Sequence, residues 1–184
     1  MVRRAHAVSP FATRVKPRLF YTRLSSPVGA LLLTASPATG ALTRLHFGPG
    51  QPEADWMEEP AVFAAASAQL TDYFEGKLTR FTLTLAPQGS EFQLAVWRQM
   101  LDIPYGSTIS YGELARRLGD PGAARAVGLA AGANPLAIVI PCHRVIGASG
   151  KLTGFGGGLV IKARLLGLER SERELEFPPP AAAE

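Results

Sequence analysis

The apolar pattern of this chain changes its period once, at Pro87-Gln88-Gly89, and that change divides the fold. Before it, β-type runs dominate. Leu19-Phe20-Tyr21-Thr22, an apolar run over 30–34 and an alternating run over 41–47 are separated by turn formers, Ser26-Pro27-Val28-Gly29 and residues 37–40. This spacing predicts three strands. Residues 48–60 read as loop. Val62, Phe63, Ala66, Leu70, Tyr73 and Phe74 then form an apolar stripe at helical spacing, so a helix is expected over 61–75, stopped by Gly76. Phe81-Thr82-Leu83-Thr84-Leu85 alternates with period two and predicts a further strand.

After the change, helices dominate. Ser90-Glu91-Phe92-Gln93 is a capping box that opens a helix to about Leu101. Ser110-Tyr111-Gly112-Glu113 is a second box, opening a short helix that Gly119 ends. Asp120-Pro121 is an N-cap followed by proline, which starts a third helix running to about Gly132. A short apolar strand over 136–140, a glycine-rich loop over 154–158 and a last helix over 159–169 complete the pattern. The expected fold class is α+β: an N-terminal sheet-plus-helix lobe over 18–87 and a mostly helical lobe over 90–170. Residues 1–17 read as a flexible arm and 171–184 as a disordered tail.

Charge and cysteine content narrow the function. Residues 92–170 hold nine Lys/Arg against four Asp/Glu, so the positive field sits on the second lobe, where an anionic partner would be steered. The single cysteine excludes an internal disulfide and a cysteine-rich zinc site. No apolar run approaches the roughly 20 residues of a membrane helix, and no secretory signal is visible. A reducing cytoplasm is the natural compartment.

Two segments could carry chemistry. The helices joined by Gly119-Asp120 are similar to a helix-turn-helix, and the second is made of Ala123, Ala124, Ala126, Gly128, Ala130, Ala131 and Gly132 around a lone Arg125. Small side chains with one protruding cation suit close approach to DNA and a groove contact. On this segment alone, tight packing against neighbouring helices is the plainer reading. The second segment is Ile138-Val139-Ile140-Pro141-Cys142-His143-Arg144-Val145. A thiol must lose its proton to attack, and His143 could accept it. Adjacent residues of an extended segment point in opposite directions, so a sharp turn or a bridging water is required. Glu169 is a candidate carboxylate to orient the imidazole. An inert buried thiol and a structural histidine are the plainer readings of the same residues.

Pro141-Cys142-His143-Arg144-Val145 resembles the signature of the O6-alkylguanine-DNA alkyltransferases. The segments Phe92 to Trp97, Ile103-Pro-Tyr-Gly106, Ser110 to Ala115, Ala124-Arg125-Ala126-Val127-Gly128, Asn134-Pro135 and the 154–158 loop are similar to further family motifs, in family order. The resemblance is strong over about 90–170. Over the first lobe it extends only to the layout of strands and one helix, where it implies a ribonuclease H-like fold. It implies that Cys142 accepts the alkyl group, that His143 acts as base through a water, that Glu169 holds His143, and that Asn134 braces the active-site turn. It further implies that Arg125 enters the DNA stack from a helix whose Ala124, Ala126 and Gly128 allow close approach. Tyr111 would rotate the nucleotide and donate a proton to the departing guanine. Val145, Phe155, Gly156 and Gly157 would frame the base pocket. For Arg144 a packing or ion-pair role stands level with a substrate role, while Phe92, Val96 and Trp97 are assigned to packing.

The implied reaction is direct reversal of O6-alkylguanine damage in double-stranded DNA after base flipping. Nothing in the sequence offers a way to cleave the thioether product, so one turnover per molecule is expected, with no metal or organic cofactor and a monomeric protein. Gly156 and Phe155 stand where some family members carry Ser and Tyr, which leaves backbone N–H groups to contact the alkylated oxygen. A recognition module without chemistry and a cysteine hydrolase are the competing readings. Cys142 argues against the first, and the missing oxyanion-hole motif against the second.

Overall fold

The structure is a computed structural model and describes residues 18–170, so the arm over 1–17 and the tail over 171–184 lie outside the described residues. The first lobe is built on a hairpin. Strands β1 (Phe20–Ser26) and β2 (Gly29–Ala35) pair antiparallel across a two-residue turn at Pro27-Val28. Gly29 closes this turn at φ +99, a region open to glycine without strain. Strand β3 (Leu42–Phe47) adds antiparallel to β2, with a register shift at Thr34/Ala35. The two-residue β4 (Met57–Glu58) pairs parallel with the other edge, giving the order β3-β2-β1-β4. The loop expected over 48–60 therefore contains a short edge strand that no alternation announced.

Central β2 is buried on both faces, which explains its continuous Leu31-Leu32-Leu33 run. Its one hydroxyl there, Thr34, is satisfied by Thr43 at 2.7 Å. The expected helix over 61–75 is realised as a 3-10 turn (Pro60–Phe63) running into α1 (Ala64–Phe74). Phe63, Ala66, Leu70 and Tyr73 are its buried stripe.

The strand expected over 81–85 does not form. Leu85 makes an isolated bridge to Leu42, and only Leu42 N–H to Thr84 O and Ala86 N–H to Leu42 O connect the segment to β3. Gln69 explains this: its side-chain amide takes up both the Thr82 N–H and the Thr82 hydroxyl, each at 2.9 Å. The alternation still has a cause, since Phe81, Leu83 and Leu85 turn inward while Thr82 and Thr84 face solvent.

In the second lobe α2 (Glu91–Leu101) starts at a complete capping box, with Ser90 Oγ accepting from Gln93 N–H and Gln93 Oε1 accepting from Ser90 N–H. Helix α3 (Tyr111–Arg117) uses half of its expected box. Ser110 Oγ accepts from Glu113 N–H, but the Glu113 carboxylate pairs with Arg116 and Arg117 one turn on. After Gly119, at φ +84, Asp120 caps a 3-10 turn (Pro121–Ala123) that becomes α4 (Ala124–Gly132). Trp97, 2% exposed, ties α2 to α4 by donating its indole N–H to Ala130 O at 2.8 Å. The lobe is completed by α5 (Leu159–Glu169) and by a parallel pair of two-residue strands, β5 (Ile109–Ser110) and β6 (Val145–Ile146).

One apolar core runs through both lobes, from Leu31, Leu45 and Leu70 to Trp97, Val127 and Leu165. The backbones also meet: Leu45 N–H donates to Pro135 O at 2.8 Å, which fixes β3 against the loop that carries the cysteine.

Candidate active site

The segment expected as a strand over 136–140 is instead a closed loop. Leu136, Ala137 and Ile140 make single bridges only, and Ile140 N–H returns to Leu136 O at 2.8 Å. Ile138 sits at φ 72, a conformation that costs a β-branched residue about 1–3 kcal/mol. Asn134 holds the loop shut: its Nδ2 donates to Ile140 O at 2.8 Å while its Oδ1 accepts from Leu136 N–H at 3.0 Å. The four apolar side chains 137–140 are buried around it.

The chain leaves this loop in a 3-10 turn (Cys142–Arg144), in which Arg144 N–H reaches Pro141 O at 3.0 Å. The sharp turn takes the place of the extended geometry that would have sent the Cys142 and His143 side chains apart. It delivers three consecutive polar side chains into the interior: Cys142 is 8% exposed, His143 0% and Arg144 6%.

Their counter-charge is Glu169, at the end of α5 and 4% exposed. Its Oε1 lies 2.7 Å from His143 Nε2 and accepts from Arg144 Nη2 at 2.9 Å and from the Tyr73 hydroxyl at 2.8 Å. Its Oε2 accepts from Arg144 Nε at 2.8 Å and from Gly106 N–H at 3.0 Å. Arg144 spends its remaining reach on Ile103 O at 2.6 Å. The ion-pair role of Arg144 is thus the one the geometry favours. Burial pushes the Glu169 carboxyl up, but the hydrogen bonds and charges of His143 and Arg144 outweigh it and hold the group at about 2.

An ionised Glu169 can only accept, so the proton of His143 sits on Nε2. Burial, and after it the nearby charges of Arg144 and Lys162, lower the imidazole below its usual range against the pull of Glu169. His143 is therefore neutral at neutral pH. Its Nδ1 is buried without a hydrogen-bond partner among the described residues. A lone pair held at that position is able to accept a proton.

Burial raises the Cys142 thiol, while the Asn134 side chain and the Lys162 ammonium pull it back toward the anion. Lys162 is fully buried on α5, and its Nζ donates to Val145 O at 2.7 Å and Thr153 O at 2.8 Å. Burial lowers its proton affinity and the cysteine raises it. Lys162 thus fastens both ends of the loop around the site and is a buried positive charge acting on the sulfur.

Around this centre, Val145 is fully buried and Phe155 stands edge-on to His143, with ring centroids 6.5 Å apart and planes at 87°. Phe155 packs in turn on Phe47, at the end of β3, at 5.4 Å. Gly156 is exposed in the same loop. Gly157 cannot be replaced without movement, since a Cβ there would meet the Phe47 ring at 2.7 Å. Tyr111, at the first position of α3, is half-buried and its hydroxyl accepts from Thr153 Oγ1 at 3.3 Å. Lys162 Nζ stands 6.0 Å from the centre of its ring. Tyr111 also lies against Gly128 of α4, where a Cβ would be 3.7 Å from the ring. Along α4, Arg125, Ala126 and Leu129 face solvent and Ala124 is half-buried, while Val127 and Ala130 pack into the core.

Sequence reasoning missed Lys162, Tyr73 and Phe47. A signal existed for the first: Lys162, Leu165, Leu166 and Glu169 fall on one helical face, so two charges interrupt an otherwise apolar stripe. Tyr73 was absorbed into the apolar stripe of α1. Of the residues assigned to packing, Val96 and Trp97 are buried, whereas Phe92 remains 40% exposed. Among the described residues no group of three or more His, Cys, Asp or Glu could hold a metal ion, and no helix is long and apolar enough to cross a membrane.

Comparison with known proteins places both lobes. Residues 91–171 match the family model "6-O-methylguanine DNA methyltransferase, DNA binding domain", and residues 19–87 match "6-O-methylguanine DNA methyltransferase, ribonuclease-like domain". A methylated-DNA–protein-cysteine methyltransferase of Mycolicibacterium paratuberculosis is 56% identical over 153 residues, 82% of this chain and 92% of that one. A protein of the same name from Methanosarcina acetivorans is 47% identical over 157 residues, covering 83% and 99%. The crystal structure of Mycobacterium tuberculosis OGT in complex with DNA superposes with a TM-score of 0.77 at 51% identity, covering 83% of this chain and 93% of that one.

Proposed function

Because this chain belongs to the 6-O-methylguanine DNA methyltransferase family, we propose that it repairs DNA by moving the alkyl group of an O6-alkylated guanine onto Cys142. The activity is that of a methylated-DNA–protein-cysteine methyltransferase. The observation that carries this reading to a residue is the buried Glu169–His143 pair, whose unpartnered Nδ1 belongs to the neighbour of the one cysteine.

In the proposed reaction the thiol proton passes through a bridging water to His143 Nδ1. The sulfur electron pair forms the new S–C bond as the bond from that carbon to guanine O6 breaks, and its electrons return to the base. Tyr111 donates a proton to the leaving guanine, which departs uncharged. Lys162 and Asn134 favour the thiolate that burial opposes. The product is a thioether, so each molecule acts once.

The target atom is inside the duplex, which requires the nucleotide to be turned out of the stack, at a cost of a few kcal/mol. We read α3 and α4 as a helix-turn-helix that does this, with Arg125 entering the vacated stack and Ala124, Ala126 and Gly128 letting the helix close on the groove. Val145, Phe155, Gly156 and Gly157 would line the pocket for the extruded base. Binding would run through phosphates and fall steeply with salt. A monomer acting in the cytoplasm fits this single-turnover chemistry.

The test is intact-mass spectrometry after mixing the protein with duplex DNA that carries one O6-methylguanine. A gain of one methyl per chain, located at Cys142 and saturating at one equivalent, is expected. Restored guanine with no mass change would mean a recycling enzyme, and tight binding of unrepaired DNA would mean a recognition module.

A further inference from the structure

We propose that Tyr73, on α1 of the N-terminal lobe, is a positioning residue for alkyl transfer, acting through Glu169 on the orientation and basicity of His143. The inference rests on the function proposed above. Tyr73 stands 96 residues before Glu169 in the chain, and its hydroxyl donates to Glu169 Oε1 at 2.8 Å. That oxygen is the one His143 Nε2 uses, at 2.7 Å. Arg144 Nη2 shares it too, at 2.9 Å. Three donors thus divide an oxygen with two lone pairs. Each one present weakens the claim of the others, and Tyr73 can be removed from the set without removing a charge.

Packing alone does not account for the hydroxyl. The Tyr73 ring is fully buried among Phe74 and Phe81, both at 5.4 Å, and Tyr105 at 6.1 Å. Phenylalanine would fill that space without a polar atom to desolvate. The hydroxyl is retained where it reaches the carboxylate that orients the base.

The charged and titratable groups around this carboxylate give the direction of the effect. Arg144, from the 3-10 turn, and Lys162, on α5, disfavour a charged imidazole, whereas Glu169 favours it. Tyr105, from the loop after α2, faces Glu169 as a neutral phenol. Burial and the Glu169 charge push the Tyr73 phenol well above its usual range, so it remains a donor throughout the working pH range. Removing the Tyr73 hydroxyl leaves Oε1 to His143 and Arg144. The His143–Glu169 bond then strengthens, and the imidazole holds a proton to higher pH. A protonated imidazole cannot accept the thiol proton, so transfer is lost at the acid side first.

The experiment compares full-length wild type with Tyr73→Phe and Phe81→Leu. His143 titration is followed by NMR of the imidazole without DNA, and the single-turnover transfer rate to Cys142 is measured across pH with O6-methylguanine duplex. For Tyr73→Phe the His143 titration and the acid limb of the rate profile are expected to move up together by about half a pH unit or more. At neutral pH, above this limb, His143 is uncharged in both proteins and the rate should change little. Phe81→Leu, which removes a ring packed on Tyr73 and leaves the hydroxyl, should lower the melting temperature and move neither titration. An unshifted His143 titration in Tyr73→Phe overturns the inference, as does an equal shift in Phe81→Leu. If wild type transfers no methyl while the His143 titration still moves, the functional reading fails and the positioning role stands.

Discussion

Replacing Glu169 by glutamine tests the buried network at its centre, because it keeps the shape and removes the charge. The stability effect can be worked in two ways. The carboxyl lies at about 2 in the folded chain against an ordinary 4.5, and that gap is worth about 3 kcal/mol in favour of the folded state. Independently, removing one partner of a buried ion pair leaves the other uncompensated, here Arg144 at 6% exposure, and costs about 3–5 kcal/mol. The two routes agree. Because the folded value is depressed, this stabilisation is complete above pH 4.5 and is lost as the pH falls toward 2. Urea denaturation of wild type and Glu169→Gln should therefore show a gap of about 3–5 kcal/mol at pH 7, reduced by about half or more at pH 3. The same substitution puts an amide N–H₂ or a weaker acceptor opposite His143 Nε2, so the transfer rate at pH 7 should fall about 10- to 100-fold. A gap that stays constant from pH 7 to pH 3 would refute the electrostatic account. An unchanged transfer rate would remove Glu169 from the mechanism whatever its effect on stability.

Three further outcomes are expected. Cys142→Ala should abolish methyl transfer and keep affinity for alkylated duplex, read by mass spectrometry and by a mobility shift; transfer by this variant would eliminate the acceptor assignment. Arg125→Ala should slow repair of duplex DNA more than reaction with the free alkylated base, since the side chain is exposed on α4 and away from the buried centre; equal losses on both substrates would exclude its entry into the stack. Gly157→Ala should cost about 1–3 kcal/mol in thermal denaturation because its Cβ would meet the Phe47 ring at 2.7 Å, and Phe47→Leu in the same chain should recover part of that. No recovery would show that the loop, and not the ring, sets the constraint.

The parts of this protein legible in its sequence are those whose cause is local. Ser90, Asp120 and Gly119 announced helix boundaries because capping and positive φ act within three or four residues. Cys142, His143 and Glu169 became candidates for chemistry through the resemblance of their surrounding motifs to a family, since the residues alone suit an inert thiol and a structural histidine. What misled was apolar pattern without its hydrogen-bond partner. Residues 81–85 alternate as a strand would, yet Gln69 captures the Thr82 amide. Residues 136–140 are apolar as a buried strand would be, yet Asn134 draws Leu136 and Ile140 together and turns the segment into a loop. In both cases one side-chain amide decides the backbone, and nothing in the period of the run reveals it.

The same limit hid the joint between the lobes, which carries a functional consequence. Phe47 at the end of β3 supports the Phe155–Gly157 wall, Leu45 fixes Pro135 beside Asn134, and Tyr73 on α1 reaches Glu169. These contacts span from 90 to 110 residues of chain and have no local signature. They mean that the sheet-bearing lobe is not a passive neighbour of the chemistry. Its geometry enters the site at the turn that presents the thiol, at the loop facing His143 and at the carboxylate behind it. Disturbing that joint should therefore alter the alkyl-transfer rate even where the DNA binding proposed for α4 is intact, since Arg125 lies on an exposed face of a helix with its own support from Trp97 and Tyr111.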